Sequence, residues 1–394
     1  MAALISRVIT AFNPTIVEKD RDALRFGVLG AANVGPLALF GPAKTHPDVI
    51  VQAVAARDRE KAEKYARSNG IPEVKDSYQA ILDDPNIDAV YIPLPNAYHF
   101  EWAVRSIKAG KHVLLEKPSV CNAEEAEILF NLEELKAPNA PVLLEGFLSK
   151  FHPSWQVLQS LVDPATIEHT DIFFNYDLGG GCIMSMGTYN MGLLRQLFDA
   201  EPVECLSCET QTFPDPELAQ CDTDFKATYR FPNGALGEVE STLRGPTIWI
   251  PSVCTVKTKE IITPDKSLPQ GHTKVVKRTL SLHGVVHAFF WHRIDVQETY
   301  TIRDSHGADI KTYTENRTHK CYNYEEAGGQ FGGLPGEVWW MSFHYMLTAF
   351  VNKVRGRPVQ TWMSGQDSIN QMRMIDMAYE KSGLGPRPSK GYRP

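Results

Sequence analysis

The sequence lacks the features of membrane and secreted proteins. None of its apolar runs approaches the ~20 residues that are needed to cross a bilayer. Its first residues, MAALISRVIT, have neither the basic start nor the long apolar core of a secretory signal. We therefore expect a cytoplasmic protein without a membrane anchor. Residues 1–24 are predicted to form an N-terminal extension, with a helix that lies on the body of the protein.

Cysteine is sparse, with seven residues scattered over a chain of 394. An odd number in a long chain does not form the disulfide framework of a small secreted domain, and free thiols fit a reducing cytosol. Cys205 and Cys208 form a C-x-x-C pair, but no second pair or histidine pair follows at zinc spacing. Cys254 is too distant in sequence to be a local partner. We therefore predict no metal site.

Positive charge is also in short supply, because 40 Lys and Arg stand against 47 Asp and Glu, giving a net charge of −7. Nucleic-acid-binding proteins usually carry a basic patch or stripe, so this balance argues against such a partner. The chain also shows no internal repeat and no low-complexity segment. Its length and its 43% hydrophobic residues suffice for two domains of ordinary size, each with its own core.

What is present is an alternation of strands and helices up to residue 150. Short runs rich in Val, Ile and Leu are typical of buried parallel strands, and they are RFGVLG (25–30), VIVQAVAA (49–56), DAVYI (88–92), KHVLLE (111–116) and APVLLE (140–145). Helical patterns lie between them, with stop signals at Gly70 and Gly110 and N-cap candidates at Asp58, Asp76 and Asn122. This alternation predicts a parallel sheet covered on both faces.

The pattern changes after residue 150. A helix is predicted from Pro153 to about Val162, and β-type alternation then dominates from about Thr166 to Thr318. Pro232-Asn233-Gly234 is a hairpin signal. Helical periodicity returns in EVWWMSFHYMLTAFVNKV and SGQDSINQMRMIDMAYEKS, before a Pro- and Gly-rich tail that we expect to be irregular.

These patterns together predict the fold class and the domains. We expect an α/β protein with an N-terminal Rossmann dinucleotide-binding domain over residues 25–150. A C-terminal α+β domain over residues 151–394 is expected to carry a large, mostly antiparallel open sheet, with its last helices crossing back. This second domain would hold the substrate site and an oligomerisation surface.

The first sign of a nucleotide site is the loop Gly30-Ala31-Ala32-Asn33-Val34-Gly35, which follows the first strand. Small residues there let the backbone approach a pyrophosphate, and the next helix supplies free N–H groups at its start. The middle glycine of the G-x-G-x-x-G pattern is replaced by Ala32, which weakens the motif. A plain tight turn between strand and helix explains this string equally well.

The end of the second strand favours a nucleotide with a 2′-phosphate. NAD-binding folds usually place an acidic residue here, on the ribose 2′-hydroxyl. In this chain Arg57 follows Ala56, before Asp58 and Arg59. An arginine can bind a 2′-phosphate through two N–H groups and stack on adenine. The sequence thus predicts NADP, and an ordinary charge cluster at a helix start is the alternative.

Two further segments follow buried strands. Pro93-Leu94-Pro95-Asn96-Ala97-Tyr98-His99 comes after DAVYI, with Asn96 as the expected helix N-cap. Glu116 ends the run KHVLLE, and Lys117 and Pro118 follow it directly. A charged pair at the end of a buried strand is costly as pure packing. It makes sense if the pair faces a ligand in the crevice beyond the strand ends, and a structural Glu–Lys ion pair is the alternative.

Taken in order, these segments resemble the Gfo/Idh/MocA family, which includes glucose–fructose oxidoreductase and inositol dehydrogenase. The resemblance extends from residue 25 to about residue 195, and it rests on the glycine loop, PNAYH, AGKHVLLEKP, EGFLSKFHP and GGGCIMSMGTYNMGLLR. The β-rich second half also fits the family. Within it, the chain is most similar to the fungal NADP-dependent D-xylose 1-dehydrogenases and to the dimeric dihydrodiol dehydrogenases.

The resemblance implies the cofactor NADP and a division of roles. Lys117 matches the family's catalytic lysine, and Tyr189 matches its catalytic Tyr or His. Tyr189 would be the general acid–base, and the Lys117 ammonium would help a phenol with an ordinary pKa near ~10 to act at neutral pH. His99 and Glu116 match positions that line the nicotinamide end. The full set of expected cofactor-binding residues is Gly30, Ala31, Ala32, Asn33, Val34, Arg57, Pro93, Leu94, Asn96, His99, Glu116 and Lys117.

The chain also departs from the family pattern. Ser185 stands where many members have an Asp, four residues before the catalytic position, which fits the xylose and dihydrodiol branch better than the cyclitol enzymes. Lys150 stands where relatives often have Arg. Besides Tyr189, the expected substrate-binding residues are Phe147, Phe151 and His152, although the two phenylalanines are equally well explained as core residues.

Trp339 and Trp340 precede a predicted helix in the second domain. A tryptophan pair is usually a core or interface feature. A contact with the substrate pocket is the alternative.

The most concrete prediction is an enzyme that oxidises D-xylose to D-xylono-1,4-lactone with NADP. A trans-1,2-dihydrodiol dehydrogenase is an alternative. A non-catalytic NADP-binding regulator is another, since a yeast galactose-pathway repressor resembles this family. A protein with only a vestigial nucleotide fold is the third. Retention of both Lys117 and Tyr189 favours an enzyme. The partners predicted are a small sugar or diol and a second copy of the chain, because an open sheet must cover its outer face.

Overall fold

A computed structural model describes residues 2–175, 181–244 and 252–394. The chain divides into two compact units. The first comprises Met1–His152, Leu334–Asp376 and Pro386–Pro394, and the second comprises Pro153–Gly333 and Met377–Gly385. None of the helices in the described ranges is long and apolar enough to cross a membrane.

The first unit contains a six-stranded parallel sheet. Its strands are β1 (Leu24–Leu29), β2 (Val49–Ala55), β3 (Glu73–Val74), β4 (Ala89–Ile92), β5 (His112–Leu115) and β6 (Leu143–Glu145). They lie in the order β3-β2-β1-β4-β5-β6, which is the Rossmann order. The direction of progression reverses between β1 and β4, and ligands bind at such switch points. The five predicted strands are confirmed, and only the two-residue β3 was not predicted.

The second unit contains a nine-stranded mixed sheet. Its strands are β7 (Ile167–Asn175), β8 (Glu204–Thr212), β9 (Asp222–Arg230), β10 (Leu236–Thr242), β11 (Ser252–Thr258), β12 (Ile261–Ile262), β13 (Thr273–His283), β14 (Arg293–Arg303) and β15 (Asp309–His319). The order is β15-β14-β13-β11-β7-β10-β9-β8, with β12 on β13. The β7–β10 pair is parallel, and the other described pairs of this sheet are antiparallel. The predicted fold class is therefore confirmed, as is the β9–β10 hairpin.

The α-helices of the described ranges are α1 (Ala2–Phe12), α2 (Gly41–Lys44), α3 (Arg59–Asn69), α4 (Tyr78–Leu82), α5 (His99–Lys108), α6 (Ala123–Phe130), α7 (Pro153–Leu161), α8 (Thr188–Phe198), α9 (Tyr324–Ala327), α10 (Ser342–Val354) and α11 (Gly365–Ser382). Two π-type turns, Pro36–Phe40 and Ile183–Gly187, lead into α2 and α8. Short 3₁₀ turns are formed by Asn96–Tyr98, Glu133–Leu135, Leu148–Phe151, Pro164–Thr166, Pro216–Leu218 and Gly329–Phe331.

Two of the predicted helix caps are confirmed and two are wrong. The side chains of Asp58 and Asn122 accept hydrogen bonds from the first turns of α3 and α6. At α4 the cap is Ser77 instead of Asp76, because the serine hydroxyl accepts from the Ala80 N–H at 3.0 Å. Asn96 is not the cap of α5 either, since it opens a 3₁₀ turn and α5 begins only at His99.

Helix α8 lies directly on the sheet of the second unit. At Gly237 in β10 a Cβ atom would come within 2.6 Å of Leu194, so the glycine permits the close approach of helix and strand. Asn190 of α8 donates to the carbonyl oxygen of Glu240 at 2.9 Å and to the Ser241 hydroxyl at 2.8 Å. These contacts fix α8, which carries Tyr189, on its own sheet.

Candidate functional site

A cavity of about 850 Å³ lies at the carboxyl ends of the strands in the first unit. It brings together six of the residues predicted to bind the cofactor, namely Gly30, Ala31, Ala32, Arg57, Pro93 and Leu94. The other predicted residues, Asn33, Val34, Asn96, His99, Glu116 and Lys117, do not line it. The cavity lies at the switch point between β1 and β4, where dinucleotides bind in this architecture.

The loop after β1 meets the steric demands of a nucleotide. Gly30 has φ of +116°, and a Cβ there would stand 3.0 Å from the Leu94 side chain. Its N–H donates to the carbonyl of Ala55 at 2.8 Å. The Tyr65 hydroxyl donates to the carbonyl of Ala32 at 2.6 Å and so holds the middle of the loop. The result is an anchored backbone with only small side chains at the cavity, which fits a pyrophosphate.

Arg57 lies on the cavity wall just beyond β2. Its guanidinium is 5.9 Å from the centre of the Tyr98 ring, and it forms no ion pair within the described ranges. The neighbouring Asp58 is engaged as the cap of α3, where its Oδ1 accepts from the Lys61 N–H at 3.0 Å. The group available to a ribose at this strand end is thus a cation, which fits a 2′-phosphate.

The aromatic side of this cavity was not predicted. Tyr78, Tyr98 and Trp102 line it, and the Tyr78 and Trp102 rings meet edge to face at 5.0 Å. Tyr98 lies inside the PNAYH segment, and Trp102 follows one helical turn later. Their position just after a strand-end loop could have predicted aromatic residues at the cavity. Flat rings at this position suit the adenine base.

His99 connects two strand-end loops. It is fully buried, with Nδ1 2.9 Å from the Pro118 carbonyl oxygen and Nε2 2.6 Å from that of Leu94. A neutral imidazole has one N–H and can donate to only one of them. Burial lowers the pKa of His99. In this position the ring links the loop after β4 to the loop after β5, and direct contact with the cofactor stays a prediction.

Glu116 and Lys117 lie at the end of β5, and both are half-buried. Desolvation lowers the pKa of Lys117 to about 8, although the negative charges of Glu116 and Glu145 oppose this shift. Desolvation also raises the pKa of Glu116, whose Oε1 accepts from the Tyr91 hydroxyl at 2.6 Å. The lysine therefore lies close to two carboxylates in a poorly solvated place. Its protonation responds to a change in either carboxylate or in its exposure to water.

Glu145 was not predicted as part of the site. It ends β6, beside Leu115 of β5, and it is fully buried. Its Oε1 accepts from the Ser119 N–H at 3.1 Å. The sequence could have predicted it, because the run APVLLE ends in glutamate just as KHVLLE does. Two neighbouring parallel strands therefore carry a glutamate at their carboxyl ends, on the same side of the sheet.

Tyr189 belongs to the second unit and Lys117 to the first. Tyr189 is a buried residue in the first turn of α8. Asp222 organises the preceding turn, since its Oδ2 accepts from the Ile183 N–H at 2.6 Å and its Oδ1 from the Tyr379 hydroxyl at 3.1 Å. Ser185, where relatives carry Asp, donates to the Gly181 carbonyl at 2.7 Å. The other two glycines of GGG, at 179 and 180, lie outside the described residues.

The residues predicted to bind substrate in the first unit are buried. Phe147 and Phe151 are 0% and 1% exposed, which fits the alternative that they are core residues. His152 is 2% exposed, and its ring lies 6.2 Å from that of Tyr345. Tyr189 is also buried, at 7% exposed, so burial does not separate it from these three residues. The role of all four in binding a substrate stays a prediction.

The tryptophan pair was expected in the second domain, but it belongs to an aromatic cluster of the first unit, which includes Leu334–Asp376. His344 lies between the two rings, 5.2 Å from Trp339 and 5.8 Å from Trp340. Trp340 also lies 5.2 Å from the Tyr345 ring. These contacts fit the packing interpretation of the pair.

No group of three or more His, Cys, Asp or Glu side chains in the described ranges could hold a metal ion. The seven cysteines are free thiols, including Cys205 and Cys208 on β8.

Two family models match the sequence. One, the oxidoreductase family with an NAD-binding Rossmann fold, matches residues 24–138, and the other, the Gfo/Idh/MocA C-terminal domain, matches residues 154–249. The D-xylose 1-dehydrogenase (NADP⁺) 2 of Haloferax volcanii is 32% identical over 238 residues, which are 57% of this chain and 70% of that protein. The chain belongs to the Gfo/Idh/MocA family. The resemblance and the dinucleotide-binding fold predicted from sequence are thereby confirmed.

Two further relatives are not named as xylose dehydrogenases. An uncharacterized oxidoreductase of Rhizobium meliloti is 32% identical over 196 residues, 46% of this chain and 58% of the relative. The trans-1,2-dihydrobenzene-1,2-diol dehydrogenase of Xenopus tropicalis is 28% identical over 178 residues, 41% of this chain and 52% of the relative. The chain thus spans little more than half the length of these two proteins.

The architecture matches solved structures of the family. A 3-ketoreductase from Actinomadura kijaniata, in complex with NADP and TDP-benzene, superposes with a TM-score of 0.67 at 20% identity. The superposition covers 91% of this chain and 98% of that one. At this identity the likeness establishes the fold.

Proposed function

We propose that this protein is an NADP-dependent dehydrogenase that oxidises the C1 hydroxyl of an aldose, with D-xylose giving xylonolactone. The observation that carries the proposal is Lys117, a half-buried lysine at a strand end of a dinucleotide-binding sheet, with its pKa lowered to about 8 by burial. The named activity of the Haloferax volcanii relative supports the choice of sugar. Strongly shifted pKa values at strand ends of such folds favour a functional site.

The first unit provides the cofactor site in this proposal. The backbone of Gly30-Ala31-Ala32 holds the pyrophosphate, and Arg57 holds the 2′-phosphate that distinguishes NADP from NAD. When bound, the oxidised nicotinamide supplies the acceptor for the hydride that leaves the substrate carbon. Asn33, Val34, Pro93, Leu94, Asn96, His99 and Glu116 shape the same site.

Tyr189 is the proposed general base. As the C–H bond at C1 breaks, the hydroxyl proton passes to the Tyr189 Oη and a C=O bond forms, which converts the cyclic sugar to a lactone. A nearby cation favours the phenolate over the phenol, and Lys117 is the proposed source of that charge. Phe147, Phe151 and His152 remain proposed neighbours of the substrate.

A second candidate is the oxidation of a trans-dihydrodiol. The observation in its favour is the named activity of the Xenopus tropicalis relative. Ser185, in place of the Asp that many members carry, fits this candidate and the xylose enzyme equally. A binding-only regulator of the same fold is the third candidate.

One assay separates these candidates. The purified protein is mixed with NADP and a panel of aldoses, cyclitols, a trans-dihydrodiol and a deoxy-sugar nucleotide, and formation of the reduced cofactor is followed by absorbance. Turnover on xylose above the rest supports the proposal, and turnover mainly on the dihydrodiol supports the second candidate. Tight NADP binding without any turnover supports the regulator. If Lys117→Met and Tyr189→Phe turn over as fast as the wild type, the proposed mechanism is wrong.

The open sheet of the second unit is the proposed homodimer surface. The edge strand β15 is exposed along almost its whole length, and open edges and faces of large sheets are usually covered. Light scattering after size-exclusion chromatography gives the mass in solution. A mass of one chain at micromolar concentration would contradict the dimer.

A further inference from the structure

Residues 386–394, which the sequence predicts to be an irregular tail, pack on the first unit. We call them the C-terminal segment. The ring of Tyr392 lies 6.0 Å from that of Phe100 and 5.5 Å from the Arg105 guanidinium, both on α5. The segment thus runs along the helix whose start borders the dinucleotide cavity.

A second anchor holds the segment at the start of α6. The side-chain amide of Asn122 donates to the Arg387 carbonyl at 2.9 Å and to the Ser389 hydroxyl at 3.0 Å. Asn122 is also the N-cap of α6, so its position is already fixed. With an anchor on either side, Lys390 is held in place by its neighbours in sequence.

Lys390 contacts Tyr98, a residue that lines the cavity, although Lys390 is not itself among the lining residues. Its Nζ lies 3.4 Å from the centre of the Tyr98 ring, and Tyr98 lines the cavity. The Arg57 guanidinium approaches the same ring at 5.9 Å. Two cations from distant parts of the chain therefore meet at one aromatic ring. Like charges repel at such a place unless an anion joins them.

The acidic side chains of the cavity do not provide that anion. Asp58 caps α3. Asp76 is paired with Arg59, and Glu101 is paired with Arg105 at 2.9 Å. Neither Arg57 nor Lys390 forms an ion pair in the parts of the chain that the structure describes. The charge that remains at this end of the cavity is positive.

We propose that Lys390 is a specificity-determining residue for the cofactor, and that its ammonium binds the 2′-phosphate of NADP together with Arg57. A phosphate monoester carries about two negative charges, which matches two unpaired cations beside one aromatic ring. The inference rests on the proposed use of NADP, and it adds a cofactor contact from a segment outside the family motifs.

The test uses fragments of the cofactor on the full chain. Calorimetry compares adenosine 2′,5′-bisphosphate with adenosine 5′-monophosphate, which lacks the 2′-phosphate. Lys390→Ala is expected to bind the bisphosphate about tenfold more weakly, the loss of one charge-assisted contact, with the monophosphate changed less than about twofold. Lys390→Arg should keep most of the affinity. The matched control is Lys136→Ala, a lysine of the same unit that pairs with Glu133.

The outcomes separate the two proposals. If the wild-type protein does not prefer the bisphosphate, the use of NADP is itself wrong. If the wild type prefers it and Lys390→Ala binds both fragments as the wild type does, only the role of Lys390 is wrong. Tyr392→Ala, which removes an anchor of the C-terminal segment, should also lose affinity for the bisphosphate selectively. Circular dichroism confirms that each variant is folded.

Discussion

At the scale of single residues, the charge of Lys117 results from two opposed effects. Partial burial removes water from the ammonium and lowers its pKa to about 8, and the nearby carboxylates of Glu116 and Glu145 raise it. Removing either carboxylate should therefore lower the pKa of Lys117 further. Glu145 is the better choice for substitution, because Glu116 is held by the Tyr91 hydroxyl next to the lysine.

We predict that Glu145→Gln moves the alkaline limit of activity to lower pH. If the Lys117 ammonium is needed, kcat/KM falls as pH rises through about 8 in the wild type. Loss of the negative charge at Glu145 disfavours the Lys117 ammonium, so the alkaline decline of kcat/KM moves to lower pH. The glutamine can still accept the hydrogen bond from the Ser119 N–H. The pH profile of kcat/KM measures this shift. If Glu145→Gln is active and its kcat/KM declines at the same alkaline pH as the wild type, Glu145 does not influence the charge of Lys117.

At the scale of elements, two glycines that end regular structure differ in what surrounds them. Gly30 ends β1 with φ of +116°, and Gly70 ends α3 with φ of +68°. A Cβ at Gly30 would stand 3.0 Å from Leu94, whereas nothing lies within 4 Å of one at Gly70. Both positions disfavour other residues because of their backbone angle, but only Gly30 also lines the cavity.

Gly30→Ala and Gly70→Ala therefore form a matched pair. Both should lose about 1 kcal/mol of stability from the left-handed backbone. Only Gly30→Ala should also lose affinity for NADPH, by at least about tenfold, because its methyl group displaces Leu94 and enters the cavity. Fluorescence titration with NADPH and thermal unfolding of both variants measure the two effects. Equal NADPH affinity in the two variants would show that the β1 loop does not approach the cofactor.

At the scale of the whole molecule, histidines that are buried as neutral groups make stability depend on pH. His344, packed between Trp339 and Trp340, is 2% exposed, and burial lowers its pKa to about 3. In the unfolded chain the same group titrates near ~6.5. The unfolded state thus binds more protons between these values, so stability is complete above about pH 6.5 and declines below it.

For His344 this loss amounts to about 2 kcal/mol at roughly pH 5. We predict that the stability difference between the wild type and His344→Asn, measured by urea unfolding, shrinks by about that amount from neutral pH to roughly pH 5. Tryptophan fluorescence reports on the transition, since two tryptophan rings contact the histidine. A constant difference across this range would mean that His344 is not buried as a neutral group.

The predictions from sequence succeeded where a local pattern suffices. The runs ending at Gly30, Ala56 and Glu116 became β1, β2 and β5, because continuous apolar stretches between helices have few alternatives. The predictions of helix caps were less accurate. Asp76 and Asn96 both looked like caps, but the cap is set by backbone geometry, and a neighbouring serine or a 3₁₀ turn prevailed.

By itself the sequence determined the family and the dinucleotide-binding fold, because these follow from the hydrophobic period and from short motifs along the chain. Only the tertiary structure decided which distant groups meet. It placed Glu145 beside Lys117, engaged both nitrogens of His99, and brought Lys390 to Tyr98. Such contacts join residues far apart in the chain, and no local period or spacing encodes them.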